Sequence, residues 1–328
     1  MVIDGKPYFA RGFFDVTYDD LPLAAAAGAN TVSAVGHTMS DACFNSPRAN
    51  YQDRAYDLGL NMVPSSSSAA ALGAPGIFPK IMSRFANHIG NISWFLADEP
   101  DQEMVSYNYI PAPSLLADYQ AAKPGTSLPI MADFQHASWD TADAIRPYAG
   151  AVDIWMAEPY GPDFSRVNHA IETFNSVKRQ PIWLAQDNPE PDLIVPKAYW
   201  TVIGGATGII YFSWEYFKAN PAKLAAATQA FAELHQLNDV IFAANVDSRV
   251  TPPAGIGAMA RSLNGSVHIM AVNPKPDVVQ GRFRVQGLEA GTQIAVLFEN
   301  RIVTAEAEGF SDTFSGVSRH VYKLPGRP

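Results

Sequence analysis

Two adjacent carboxylates follow a strongly apolar run near residue 100. The run from Trp94 to Ala97 leads directly to Asp98, Glu99 and Pro100. An unbroken apolar run is typical of a strand that is covered on both faces, and a proline ends strand pairing. The pattern therefore predicts Asp98 and Glu99 at the carboxyl end of a buried parallel strand, where side chains can exchange protons with a bound molecule.

Short apolar runs alternate with helical patterns through the first two thirds of the chain. The final helix of this series is predicted at Ala222–Ile241. Order and spacing predict an α/β fold, the (β/α)8 TIM barrel, over residues 1–245. A doubly wound sheet is the alternative, but no Gly-rich phosphate loop follows the first strand. The eight predicted strands are Tyr8–Asp15, Asn30–Gly36, Asn61–Ser65, Ile92–Glu99, Pro129–Phe134, Val152–Tyr160, Pro181–Asp187 and Gly208–Glu215.

The pattern of apolar and polar residues changes after Asn245. Val, Ile and Phe alternate there with polar residues in short runs that are separated by Gly, Pro and Asn. Such a pattern is typical of an antiparallel strand meander. We therefore expect a small antiparallel β-sandwich domain over residues 246–328.

The composition limits the kinds of molecule that the chain can bind. The net charge is −9 and the 23 Lys and Arg residues are scattered, which argues against nucleic acid; no apolar run is long enough for a membrane span. The single cysteine, Cys43, excludes an internal disulfide. No signal segment precedes the first strand. We expect either a secreted or periplasmic protein whose leader is absent from this chain, or a cytoplasmic protein.

Polar side chains end seven of the eight predicted strands, and in a barrel such ends converge on one pocket. We expect catalysis from Asp98, Glu99 and Glu215, and substrate contacts from the other residues at these ends. Besides Asp98 and Glu99, the candidates are Asp15, His37, Asp133, His136, Glu158, Tyr160, Gln186, Asp187, Trp214 and Glu215.

Aromatic residues accompany these carboxylates, with Trp214 immediately before Glu215. Aromatic faces with carboxylates and amides are suited to gripping a neutral sugar. Cleavage of a glycosidic bond needs one carboxylic acid and a second, anionic group. We assign the acid to Glu99 and a stacking platform to Trp214, and we predict a neutral or N-acetylated carbohydrate as the partner.

Eight short segments, spread over nearly the whole chain, carry a family resemblance. They are Asp4–Phe9, Ala27–Val32, Ile92–Pro100, Pro181–Leu184, Gly205–Ser213, Phe298–Arg301, Phe310–Phe314 and His320–Tyr322. In these segments the chain resembles the (β/α)8 glycoside hydrolases of the large retaining-glycosidase clan. The resemblance implies a barrel with an appended β-sandwich and Glu99 as the acid/base.

Two departures from the clan bear on the mechanism. Asp98 stands where the clan usually has Asn, and Gln186 stands where it has the nucleophilic Glu. An amide cannot be that nucleophile. Glu215 ranks first for the second carboxylate, Glu158 next, and then Asp187.

Asp98–Glu99 also resembles the Asp-Glu pair of hexosaminidases in which the acetamido group of the substrate is the nucleophile. In a regular strand, however, neighbouring side chains face opposite ways. A further alternative is a catalytically inactive carbohydrate-binding barrel. We predict no cofactor and no metal; a metal-dependent hydrolase that uses His37, Asp133 and His136 ranks last. The sequence gives no oligomeric state.

Overall fold

The computed structural model describes residues 1–33, 51–64, 82, 88–102, 109–135 and 139–325. By its internal contacts the chain forms two compact units. The first comprises Met1 and residues 9–189 and 205–228, and the second comprises residues 2–8, 190–204 and 229–328. The predicted division after residue 245 stays a prediction.

Eight parallel strands build the first unit. The strands are β3 (Ala10–Phe14), β4 (Thr31–Ser33), β5 (Asn61–Val63), β6 (Trp94–Asp98), β7 (Ile130–Phe134), β8 (Ile154–Ala157), β9 (Ile182–Gln186) and β10 (Gly208–Tyr211). Their order in the sheet is β5-β4-β3-β10-β9-β8-β7-β6, so strands that are neighbours in sequence pair except for β5 and β6, and β10 pairs with β3. Nearly all of their residues are buried, because helices cover the outside and side chains fill the inside. The prediction of a (β/α)8 barrel is confirmed.

The barrel is nearly closed between β5 and β6. Met62 and Asn91 form an isolated parallel bridge there. The Met62 N–H donates to the Gly90 carbonyl at 2.8 Å, and the Ile92 N–H donates to the Met62 carbonyl at 3.0 Å. We call this short junction the seam.

A glycine in β3 permits the close approach of β4. A Cβ atom on Gly12 would lie 1.7 Å from the carbonyl oxygen of Thr31, far inside contact distance. The two residues are register partners in the parallel pair β3–β4. Only a residue without a side chain fits at this position.

Helices alternate with the barrel strands as the sequence pattern predicts. Short 3₁₀ helices add Lys123–Gly125, Arg146–Tyr148 and Asp247–Arg249. Cys43 lies outside the described residues. No helix in the described ranges is long and apolar enough to cross a membrane. The helices are α1 (Leu21–Ala26), α2 (Tyr51–Asp57), α3 (Ala112–Ala122), α4 (Ala142–Ile145), α5 (Ser165–Val177), α6 (Pro191–Gly204), α7 (Trp214–Lys218), α8 (Pro221–Gln236) and α9 (Asn238–Ile241).

Two antiparallel sheets dominate the second unit. One has the order β11-β13-β14-β19-β16-β17 and the other β12-β15-β18, while β1 and β2 (Val2–Ile3, Lys6–Pro7) form a separate hairpin. The strands are β11 (Ala244–Asn245), β12 (Val250–Thr251), β13 (Gly257–Leu263), β14 (Ser266–Asn273), β15 (Val279–Val285), β16 (Gln293–Leu297), β17 (Arg301–Thr304), β18 (Gly309–Phe314) and β19 (Ser318–Leu324). The predicted antiparallel domain is confirmed.

Aromatic rings from both sheets form the core of this sandwich. Phe283 stacks on Phe310 with ring centroids 4.9 Å apart, and Tyr322 from the larger sheet lies 4.7 Å from Phe310. Helix α6 packs on β13, β14 and β19. A Cβ atom on Gly257 would lie 2.2 Å from the Trp200 ring, so this glycine lets the helix approach the sheet.

Candidate active site

Three carboxylates from three successive barrel strands converge at the carboxyl ends of the strands. Asp98 ends β6, Asp133 lies in β7 as its register partner, and Glu158 follows β8 directly. One oxygen of each side chain lies within 4.8 Å of the other two. Together with Glu99 we call them the carboxylate cluster.

The backbone bends between Asp98 and Glu99. Glu99 has a left-handed φ of 47°, which a residue inside a regular strand does not adopt. Its N–H donates to the Asp133 carbonyl at 3.0 Å. Because of this bend, Asp98 and Glu99 do not face opposite sides as neighbours in a regular strand do. The charges of both residues raise the pKa of Asp133.

Glu99 accepts hydrogen bonds from two amide side chains. Gln102 Nε2 donates to Oε2 at 2.8 Å, and Gln135 Nε2 donates to Oε1. The backbone N–H of Gln135 in turn donates to both oxygens of Asp101, at 3.2 and 3.1 Å. Amide donors stabilise negative charge on the carboxylate that they contact.

Burial raises the pKa values of the other three members of the carboxylate cluster. Burial, with the charges of Glu99, Asp15 and Asp101, raises the pKa of Asp98 to about 7. Burial followed by the charge of Asp98 raises the pKa of Asp133 well above its ordinary value. Burial is the main cause for Glu158 as well, followed by the charge of Asp133, so its pKa is also far above the ordinary value. Burial therefore favours the protonated forms of these three acids.

Asp133 and Glu158 differ in their partners. Asp133 is 1% exposed, and neither of its oxygens has a side-chain hydrogen-bond partner among the described residues. Glu158 shares a hydrogen bond with Glu99 and accepts one from the Tyr160 hydroxyl at 2.8 Å. Glu158 is therefore the member of the carboxylate cluster that is held in a fixed orientation beside Glu99.

The oxygens of Asp98, Asp133 and Glu158 are also close enough to hold a metal ion. Three hard oxygen donors would suit Mg²⁺ or Ca²⁺. The sequence-based expectation that there is no metal centre stays a prediction.

Gln186 lies at the end of β9, where the clan resemblance places a nucleophile. It is 0% exposed, and neither atom of its amide has a partner in the described ranges. The next residue, Asp187, accepts a hydrogen bond from the Gly161 N–H at 3.0 Å, which ties the end of β9 to the segment after β8.

The remaining sequence candidates lie as follows. Asp15 follows β3 with a left-handed φ of 59°, and its charge acts on Asp98. The eighth strand ends at Tyr211, so Glu215 lies instead on helix α7, exposed to solvent. Trp214 is fully buried with its ring 5.0 Å from that of Phe13, which leaves no free face for stacking. His37 and His136 lie outside the described residues.

Asp101 and Gln135 are not among the site residues that the sequence predicts. Asp101 is buried and holds the backbone of Gln135, which contacts Glu99 through its side chain. The signal for Asp101 was its position three residues after Asp98 in an acidic segment. Gln135 directly follows the predicted fifth strand.

Comparisons with known proteins show the fold. No protein-family model matches the chain, and no curated protein matches it in sequence. Solved structures match over nearly the whole chain, among them the following three. They are a GH27 β-L-arabinopyranosidase from Geobacillus stearothermophilus (TM-score 0.66, 10% identity, 98% of this chain and 97% of that one), an α-amylase from Geobacillus thermoleovorans complexed with acarbose (0.65, 10%, 95% and 92%) and a GH30 endoxylanase from Clostridium papyrosolvens C71 (0.57, 14%, 98% and 98%).

TM-scores of 0.57 to 0.66 show a shared architecture, whereas identities of 10% to 14% leave the activity to be argued from the site. The architecture is that of TIM-barrel glycoside hydrolases with a C-terminal β domain. The resemblance predicted from the sequence is confirmed at this level.

Proposed function

We propose that this chain is a glycoside hydrolase that uses the carboxylate cluster to cleave a neutral or N-acetylated glycan. The observation that carries the proposal is the convergence of Asp98, Asp133 and Glu158 within 4.8 Å, at the end of a barrel shared with glycosidases. Glycosidic cleavage requires one protonated and one ionised carboxyl group flanking the bond. A site that already crowds several buried acidic groups disfavours a further negative charge, which favours a neutral sugar.

Glu158 and Glu99 form the proposed catalytic pair. Burial favours the proton on Glu158, and two amide donors orient the carboxyl oxygens of Glu99. The Glu158 O–H would protonate the glycosidic oxygen as its bond to the anomeric carbon breaks, and Glu99 would attack that carbon. Water then hydrolyses the glycosyl ester, with Glu158 as base.

This assignment reverses the predicted role of Glu99, since the sequence pattern predicts Glu99 as the acid. The hydrogen bond between the two side chains favours a short separation. Carboxyl groups about 5 to 5.5 Å apart accompany retention, whereas about 6.5 to 9.5 Å accompanies inversion. We therefore expect retention of configuration.

Aryl glycosides with good and poor leaving groups separate the two roles. Glu158→Gln should lower turnover of substrates with poor leaving groups by about 10²- to 10⁴-fold and spare dinitrophenyl glycosides, which need no acid. Glu99→Gln should slow both substrates, and azide should rescue the dinitrophenyl substrate. The opposite pattern would return the acid to Glu99.

Two further glutamates complete the experiment. Glu172→Gln, on the exposed face of α5, is the matched control and should leave turnover unchanged. Glu215→Gln tests the carboxylate that ranked first in sequence; full turnover in this variant would remove it from the mechanism. If no glycoside is cleaved by folded wild-type protein while a sugar still binds, the chain is a binding barrel and the proposal fails.

A substrate-assisted mechanism is the second candidate. The bend at Glu99 lets the adjacent pair Asp98 and Glu99 face the same cluster, as that mechanism requires. In this case Asp98 would orient the acetamido group, and 2-acetamido glycosides would be the only substrates cleaved. Asp98→Asn should then abolish turnover, whereas cleavage of simple glucosides or galactosides by wild type would exclude this mechanism.

A further inference from the structure

A cavity of about 530 Å³ opens in the second unit, and we call it the sandwich cavity. Leu237 and Val240, at the end of the α8–α9 segment, line one side. Strands and turns of the larger sheet line the other, with Asn264, His268 and Phe298. Its volume lies within the range of about 300 to 1,000 Å³ that small-molecule pockets occupy.

Phe298 is an exposed aromatic ring on a strained backbone. Its side chain is 37% exposed, and its φ of 67° is left-handed. A bulky residue rarely occupies this region, where glycine or asparagine costs less. Strain that persists at a surface aromatic residue indicates a role for the ring itself.

A buried ionic network holds one side of that ring. The Arg319 guanidinium lies 5.7 Å from the centroid of Phe298. Arg319 is itself fixed by Glu233 and by Glu299, with its Nη1 3.2 Å from Glu299 Oε1. Tyr199 donates to Glu233 at 2.7 Å. The ring is therefore preorganised, which lowers the entropic cost of binding a ligand.

The polar side of the sandwich cavity is cationic. His268 and Lys323 are cross-strand partners on β14 and β19, so they share a face of the sheet. Burial and the charge of Lys323 lower the pKa of His268, so the imidazole is neutral and Lys323 carries the charge. No acidic residue lines the sandwich cavity, and no carboxylate forms an ion pair with Lys323 within the described part of the chain. In a chain of net charge −9 this is a local site for an anion.

His268 provides a further polar group. It is 6% exposed, and its Nδ1 has no hydrogen-bond partner among the described residues. Asn264, in the tight turn between β13 and β14, adds an amide at the rim. An aromatic face, an amide, an imidazole and one ammonium group together match a ring that bears hydroxyl groups and a single carboxylate.

We propose that the sandwich cavity binds an acidic sugar residue, with the C–H face of the ring on Phe298 and the carboxylate beside Lys323. This site is separate from the carboxylate cluster and does not depend on the proposed hydrolysis. It would let the chain hold a glycan that carries uronic acid residues.

Matched ligands test the proposal. Methyl β-glucuronide and methyl β-glucoside share a ring and an aglycone and differ in the carboxylate. Each is titrated into isotope-labelled full-length protein, and NMR follows the amide of Asn264 and the ring of His268. We expect saturable shifts at both residues and about threefold tighter binding of the glucuronide, the size of one partly exposed charge pair.

Two variants assign the contacts. Phe298→Asn suits the left-handed backbone, so it should remain folded while affinity for both sugars falls by about fivefold. Lys323→Gln should equalise the two sugars, whereas Lys275→Gln, an exposed lysine outside the sandwich cavity, should not. Unchanged thermal unfolding of Phe298→Asn shows that any loss of binding comes from the ring.

Three results would overturn the proposal. The first is an absence of shifts at Asn264 and His268 with either sugar. The second is equal affinity of wild type for glucuronide and glucoside. The third is acetate that binds as tightly as the glucuronide, which would indicate a site for bare anions. Shifts confined to the barrel would locate sugar binding at the carboxylate cluster instead, so this proposal and the proposed hydrolysis can fail independently.

Discussion

Replacing Asp98 by asparagine should change how stability depends on pH. The native pKa of Asp98 is about 7, against 3.8 for an ordinary aspartate, chiefly because of burial. Between these values the native state holds a proton that the unfolded state has released. The free energy of unfolding therefore falls as pH rises through this window.

The magnitude follows from the two pKa values. Moving a pKa from 3.8 to about 7 corresponds to about 4 kcal/mol, acquired at about 1.4 kcal/mol per pH unit. Asp98→Asn removes this loss, so the stability of the variant relative to wild type should rise from pH 5 to 7 and level off above. The variant also relieves Asp133 of a neighbouring charge, which acts in the same direction.

Denaturant unfolding of wild type and Asp98→Asn at pH 5, 6, 7 and 8 measures this difference. Tryptophan fluorescence reports chiefly on the barrel unit, because all tryptophans except Trp200 lie in that unit. A difference that stays within about 1 kcal/mol from pH 5 to 8 would refute the reasoning, since about two pH units of titration lie in that interval. A relative gain for wild type would refute it too.

Asp153 supplies a control of opposite sign in the same unit. Burial would raise its pKa, but hydrogen bonds from Lys123, the Ile130 N–H and Tyr119 outweigh burial and lower it. Its stabilisation is present above the ordinary aspartate pKa and is lost as pH falls through the native one. Asp153→Asn should therefore destabilise the barrel at neutral pH and lose that effect in acid.

Two further predictions concern the site and the barrel. Tyr160→Phe removes a hydroxyl that donates to Glu158 at 2.8 Å, so the pKa of Glu158 should rise and the alkaline limb of the rate profile should move up by about one pH unit. Gly12→Ala places a methyl group against the Thr31 carbonyl and should cost at least about 3 kcal/mol in denaturant unfolding, whereas Gly125→Ala meets no atom within 4 Å and should cost little.

The sequence predicted the barrel because its signal is local. Each buried strand is an apolar run bounded by polar or turn residues, and the spacing of the runs fixes the unit type. The strand ends then identified Asp98, Asp133 and Glu158, which the fold brings together. These three residues could be predicted because each lies at the end of a strand, and parallel strands of a barrel end at the same face.

The predictions that failed depend on tertiary contacts. The apolar segment around Trp214 was predicted as the end of a strand, but it begins helix α7, and a short apolar run does not distinguish the two. The burial of Trp214 against Phe13 requires the closed barrel. Asp101 acts through the backbone of Gln135, 34 residues later in the chain, and no local pattern announces such a contact.

The barrel should open more easily at the seam between β5 and β6 than between its other strands. Its few backbone bonds are the part of the ring that should exchange amide hydrogens first, with Met62 and Ile92 ahead of the central strands β9 and β10. Asp98 ends the strand that borders this junction, and Glu99 follows it. Opening of the seam would leave β6 paired only with β7, so Asp98 would lie on an edge strand, where water weakens the burial that raises its pKa. The weakest closure of the barrel would thus set how often the carboxylate cluster is exposed to water.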